Sequence, residues 1–253
     1  MLQADVAAGW PHFQPEPRRR RRASVIPGVA AVICLFALVG AVAGLFGELT
    51  RSPTSAERRR AAAVEVARRW ETWPAGKIFP AAVPYSLDVG GQESARRVGV
   101  GTDTACQSAL DAPLRAAFRS YGCRAVIRAT YLDQLQGLAI TVGVAAFRDE
   151  RKAGEAATRL PPGARPAPGL RALPFADSVA SRFDDAARQS AAVRHRGPYV
   201  VIATIGYADG RPSGGVKQKQ DYLDAVAPQL AESVLGSLTT PARPDCSSAE
   251  WSC

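Results

Sequence analysis

Histidine is almost absent: the 253 residues contain two. His12 lies in the N-terminal tail. His195 sits between Arg194 and Arg196 just ahead of an apolar run, where a charged loop face is the expected role. A serine or cysteine nucleophile needs a base at hydrogen-bond range, and imidazole is the usual one. Catalytic signatures are missing as well. No GxSxG, HExxH, Walker or GxGxxG pattern occurs, and Gly99-Val-Gly101 is too short to count as a phosphate loop. The five cysteines contain no CxxC spacing, and neither histidine lies near a cysteine. No catalytic residue, cofactor-binding residue or metal ligand is therefore assigned, and no cofactor is expected. The 4 Trp, 6 Tyr and 8 Phe are dispersed with no stripe for base stacking, which argues against a nucleic-acid partner. A 47% hydrophobic content excludes a wholly disordered chain, and 22 Gly with 19 Pro exclude a collagen-like one.

One stretch lacks charge altogether. Ala23 through Gly47 (ASVIPGVAAVICLFALVGAVAGLFG) carries none. As a helix it is about 37 Å long, enough to cross a hydrocarbon core of about 30 Å. Arg18, Arg19, Arg20, Arg21 and Arg22 abut its N-terminal side and form a topology signal that favours a cytoplasmic N-terminus. The rest of the chain then lies outside. A cleaved signal peptide competes with the uncleaved anchor, because Ala41-Val42-Ala43 before Gly44 fits a small-x-small cleavage site. The apolar region is long for a signal, so the anchor is preferred; either way the downstream chain is exported. Cys34 reads as a small apolar residue of the span. Gly40 and Gly44 form a GxxxG, a candidate contact for a homodimer through this helix.

The formal net charge of +9 divides unevenly. Residues 1–22 carry +3 and residues 48–73 carry +2, which leaves +4 on everything after Trp73. A body so mildly basic is ordinary solvated surface. Arginine outnumbers lysine 28 to 4, a bias expected of a GC-rich coding genome.

Outside the span remain Cys106, Cys123, Cys246 and Cys253. An even number in an exported domain points to disulfides, with three pairings open. Proximity favours Cys106–Cys123, which is worth about 3 kcal/mol by the chain-entropy argument, and Cys246–Cys253 in the tail. A zinc site is the weaker alternative.

Along the exported part, Ser55 is placed to cap a helix through about Trp73, with Val64, Ala67 and Trp70 at helical spacing. Short extended segments are expected at Ala82–Leu87 and Ala95–Val100, and a helix at about Ala105–Tyr121 with Pro113 as a kink or restart. The alternations from Cys123 to Tyr131 and from Leu138 to Val144 predict an antiparallel hairpin. A helix is expected at about Asp149–Arg159, a short strand at Leu170–Phe175 and a helix over Ser178–Gln189. The run Pro198–Tyr207 (PYVVIATIGY) predicts a strand buried on both faces, followed by a helix over Gln218–Leu238 containing Pro228. The fold class is α+β: an antiparallel sheet of four or five strands with helices packed on it, preceded by one transmembrane helix. The expected domains are a cytoplasmic tail (1–22), the span (23–47), a juxtamembrane helix or linker (48–76), the α+β domain (77–238) and a tail (239–253).

Chemistry-bearing pairs are few. Arg124 and Arg128 share a strand face and are a candidate anion site, with a covered or solvated face as the favoured alternative. Asp149-Glu150 and Asp184-Asp185 read as solvated charge at a helix start or surface.

Four stretches carry a resemblance: Pro74-Ala-Gly-Lys-Ile-Phe-Pro80, Arg97-Val-Gly-Val100, Tyr121-Gly-Cys-Arg-Ala-Val-Ile-Arg-Ala-Thr-Tyr131 and Gly197-Pro-Tyr-Val-Val201. Over about residues 60 to 215 the chain resembles a group of uncharacterised actinobacterial membrane-anchored proteins with an exported α+β domain. The resemblance implies the anchor and the compartment, and brings no activity or site with it.

The expectation is a single-pass protein of the cell membrane. Its partners are the bilayer and an unidentified protein or envelope component bound by a non-enzymatic extracytoplasmic domain. The alternative is an exported or anchored hydrolase-like enzyme whose site assembles from dispersed residues, recognisable by a deep pocket of convergent polar groups with perturbed pKa values.

Overall fold

In the computed structural model, residues 25–87, 91–212 and 221–242 are described. Arg18 to Arg22, Cys246 and Cys253 lie outside the described residues. The chain divides into two compact units, Met1–Pro53 and Thr54–Cys253.

The first unit contains helix α1 (Val25–Thr50). From Gly28 to Thr50 it is long and apolar enough to cross a membrane. Its large side chains are uncovered by protein, with Phe36 71% and Leu49 75% exposed. Such a surface is stable in lipid and costly in water.

The second unit is built on a curled antiparallel sheet. Its strands are β1 (Ala82–Ser86), β2 (Gln92–Val100), β3 (Ala125–Leu132), β4 (Leu138–Ala146), β5 (Arg188–Arg196) and β6 (Tyr199–Tyr207). Their order is β1-β2-β3-β4-β6-β5, so the described residues hold six strands, more than the four or five expected. The hairpin of β3 and β4 has Tyr131 opposite Ile140 and Ile127 opposite Val144. β6 is buried over all but its last residue, as its continuous apolar run requires.

Two layers cover the sheet. On one face α7 (Asp221–Thr239) lies along the curl and touches β1, β4, β5 and β6. It buries Leu223, Val226, Leu230 and Val234 against Tyr131, Ile140, Val142, Val201 and Ile205. Helix α2 (Ser55–Thr72) joins the same layer: Val66 belongs to that core, and Tyr199 Oη donates to the Val66 carbonyl at 2.6 Å. The short helix α3 (Ala75–Ile78) adds Ile78. On the other face are α4 (Cys106–Ala109), α5 (Ala112–Ser120) and α6 (Glu150–Ala157). Leu114, Phe118 and Ala153 there pack on Val126, Ala145 and Ile202.

Several local expectations are corrected. The cap of α2 is Thr54, not Ser55. Its hydroxyl accepts from Glu57 N–H while the Glu57 carboxylate accepts from Thr54 N–H, a reciprocal capping box. The helix expected over Ala105–Tyr121, with a kink or restart at Pro113, is two helices that restart there. The chain straightens at Leu110, which bridges to Leu170, and Pro113 sits in the first turn of α5, where its missing N–H costs nothing. Leu170 makes only that isolated bridge, so no strand forms over Leu170–Phe175. The helix expected over Ser178–Gln189 is a single 3-10 turn (Val179–Arg182), and Arg188 onward is β5.

Candidate functional site

The predicted site residues fare differently. Cys106 and Cys123 are joined in a disulfide that ties α4 to the approach to β3. Cys34 is a free, exposed thiol on α1. Gly40 and Gly44 lie on α1 with nothing within 4 Å of a Cβ placed on either.

Arg124 and Arg128 do not form an open anion site. Arg124 is exposed just before β3, whereas Arg128 is 7% exposed beneath the segment that follows Leu170. One of its Nη atoms donates to the carbonyls of Arg171 (3.3 Å) and Ala172 (3.5 Å), and its Nε has no partner among the described residues. Burial lowers its pKa, with the neighbouring Arg171 adding to the effect. Asp185 is a tie, accepting from Arg171 Nε at 2.7 Å and from Ala172 N–H at 2.8 Å. Beside it Arg188, 6% exposed, forks onto both oxygens of Asp111 at 3.0 and 3.2 Å. Together they fasten the loop before Ala172 to the start of β5. Asp149 is the N-cap of α6. His195 is exposed at the far end of β5, beside Gly154. Ser190 of the same strand donates to Asp224, a carboxylate rather than an imidazole.

The convergence of polar groups lies at one end of the sheet. There the β1–β2 pair, the tip between β3 and β4, the end of β6 and the first turns of α7 enclose a cavity of about 300 Å³. Tyr85 and Glu93 line it from β1 and β2, where they stand opposite each other, and the Tyr85 hydroxyl donates to Glu93 Oε2. Asp133 lines it from the hairpin tip. Its two oxygens accept Leu138 N–H (2.6 Å) and Leu135 N–H (3.3 Å), which fixes a carboxylate 8% exposed at the cavity wall. Tyr207 ends β6 and Tyr222 begins α7, and both phenols line the cavity. Arg211 stacks over the Tyr207 ring, 4.4 Å from its centroid, and is held by Asp209 through Nε at 2.9 Å. Leu138 and Val226 form the apolar floor. Gln229 of α7 pins the wall by bonding both main-chain groups of Ser86 at 2.9 Å.

The phenols are shifted in one direction. Burial first, then the Glu93 hydrogen bond and the charges of Glu93 and Asp133, raise the Tyr85 pKa. Tyr222 is pushed up to about 12, by burial and then by Tyr207 and Asp133. Both therefore stay protonated at any physiological pH and offer O–H groups, not phenolates.

Two larger cavities differ in kind. One of about 420 Å³ lies between the loop after α6 and β5, lined largely by Ala, Pro and main chain. One of about 560 Å³ is an apolar groove between α2 and the β5–β6 turn. The second also has Arg59, Arg148, Asp149, Glu150 and Thr239 among its lining residues, but among the described residues neither is lined by tyrosine hydroxyls.

Sequence reasoning missed the tyrosine pocket. Its residues are spread from 85 to 222 with no local spacing to betray them; only the antiparallel pairing brings them to one edge. In comparisons with known proteins, no family model, no curated protein and no solved structure matches the chain.

Proposed function

We propose that the chain is a single-pass membrane protein with a cytoplasmic N-terminus, whose extracytoplasmic domain binds a protein partner or cell-envelope component without transforming it. The uncovered apolar helix α1 supports the anchor, and Arg18 to Arg22 support its orientation. The Cys106–Cys123 disulfide supports an oxidising compartment. Gly40 and Gly44 are the candidate homodimer contact within the bilayer.

The tyrosine pocket carries the binding claim. It combines aromatic rings, fixed carboxylates and neutral phenol donors in an open cavity, the composition of a recognition site. The Tyr85 hydroxyl is engaged by Glu93 and Arg211 by Asp209, and the shifts keep Tyr85 and Tyr222 neutral. A general base needs the opposite perturbation, a pKa brought toward the working pH. The same convergence of buried hydroxyls and acids also favours the alternative, a hydrolase-like enzyme, and the fate of the ligand separates the two.

The test uses the full chain in lipid nanodiscs and a panel of soluble envelope fragments. Expected is saturable binding of at least one fragment, weakened by Tyr222→Phe or by blocking the floor with Leu138→Trp, with the fragment recovered at its original mass. Cleavage of a fragment that depends on the same residues would overturn the non-enzymatic claim.

A further inference from the structure

Among its described residues the pocket is rich in aromatic and negative groups and short of positive ones. Three tyrosines, Glu93 and Asp133 line it, and the one lining cation among the described residues, Arg211, is matched by Asp209. Asp133 is 8% exposed and has no salt-bridge partner among the described residues. Its oxygens each accept one main-chain N–H, which leaves lone pairs unused, since a carboxylate has about four acceptor sites. Glu93 accepts the Tyr85 hydroxyl on Oε2, and its Oε1 accepts no hydrogen bond among the described residues. A buried carboxylate without a counter-charge is costly, and a cation that binds there recovers that cost. The Tyr207 ring shows the matching chemistry, since its face already holds a guanidinium.

From this geometry we infer that the pocket takes an organic ammonium group, seated against the tyrosine rings between Glu93 and Asp133. The inference deepens the binding function proposed above and rests on it. Anionic ligands meet two carboxylates on entry. A neutral polyol leaves Asp133 uncompensated. A cavity of about 300 Å³ holds an ammonium headgroup with a short stem, so the ligand inserts one charged end and leaves its remainder outside. The charges on the wall act on the phenols in the same sense at Tyr85, where Glu93 and Asp133 both push upward, while at Tyr222 Asp133 raises and Arg211 lowers.

The test is ligand-observed saturation-transfer NMR on the full chain in nanodiscs of zwitterion-free lipid. The probes are choline, methylammonium, and 3,3-dimethyl-1-butanol, the uncharged carbon isostere of choline. Expected is saturable choline binding at least 10-fold tighter than the isostere, weakened 5-fold or more by Glu93→Gln and by Tyr207→Leu, with an unchanged circular dichroism spectrum. Preference for choline over methylammonium identifies a quaternary headgroup, and the reverse a primary amine; either result supports the inference. Glu93→Gln carries the test because Asp133→Asn also disturbs the hairpin that Asp133 caps. Equal binding of choline and its isostere overturns the inference. So does failure of both cations while a neutral or anionic envelope fragment still binds in a Tyr222-dependent way, and in that case the binding function stands. If neither the cations nor any fragment respond to the pocket variants, both fail.

Discussion

The Arg69 guanidinium of α2 donates to the Leu238 carbonyl at the C-terminus of α7, at 2.8 Å and across 169 residues of sequence. The same Nη reaches the Thr240 carbonyl at 2.9 Å, while Nε and the other Nη hold Glu65 at 2.8 and 2.6 Å. Arg69 is 1% exposed and lies over the Trp73 ring. A positive group at a helix C-terminus satisfies otherwise unpaired carbonyls and complements the helix dipole. This one also locks α2 onto the sheet domain, so the helix expected as a juxtamembrane linker is packed into the second compact unit.

Replacing Arg69 by Ala therefore leaves Glu65 and the α7 carbonyls unmatched. The expected loss is about 3–5 kcal/mol, the cost of breaking a buried pair from one side. Thermal unfolding of the full chain in detergent checks it, and Arg69→Lys should recover only part of the loss because it cannot fork.

Reduction of Cys106–Cys123, or its replacement by serine at both positions, should cost about 2–4 kcal/mol. The disulfide ties α4 to the edge of the helical layer that carries Phe118, so the lost stability should appear as earlier exposure of that layer. Hydrogen exchange across residues 106–123 with and without reductant measures it.

Gly206 of β6 faces Ala187 and Phe183 so closely that a Cβ would overlap the Ala187 carbonyl oxygen. Gly206→Val should destabilise by at least about 1–3 kcal/mol through overpacking at the β5–β6 pair. The control is Gly137→Ala in the hairpin tip, where nothing lies within 4 Å of a Cβ, and which should be far milder. Denaturant midpoints compare the two.

Tyr199 and Tyr222 are pushed up to about 12, and Tyr85 and Tyr131 are also raised, in each case chiefly by burial. An unfolded tyrosine ionises at about pH 10. The folded state thus holds protons that the unfolded state releases, so stability is level below about pH 10 and falls as pH rises toward 12. Absorbance at 295 nm and circular dichroism followed together from pH 8 to 13 should show these phenols ionising with unfolding, not before it.

The sequence made the span, the β3–β4 hairpin and β6 legible because each is a long, uniform pattern: an uncharged run, an alternation or a continuous apolar stretch. β5 was hidden. Arg188 to Arg196 (RQSAAVRHR) has one β-branched residue and reads as readily for helix. It becomes a strand by pairing with β6 from Arg188↔Gly206 to Arg196↔Tyr199 and by lying against α7, a tertiary preference that outweighs local propensity. Asp185 and Arg188 were obscure for the same reason, since their partners Arg171 and Asp111 come from distant loops. The tyrosine pocket was least legible of all. Tyr85, Asp133 and Tyr222 meet only because the sheet ends there.

The placement of this domain outside the membrane underlies the proposed function. Its most direct test is thiol labelling of intact cells carrying the chain with Cys34→Ala, Cys246→Ser and Cys253→Ser, which leaves Cys106 and Cys123 alone. A membrane-impermeant maleimide should label the protein only after an impermeant reductant is added, without lysis. Labelling that appears only once the membrane is broken would place the domain on the other side and contradict the account.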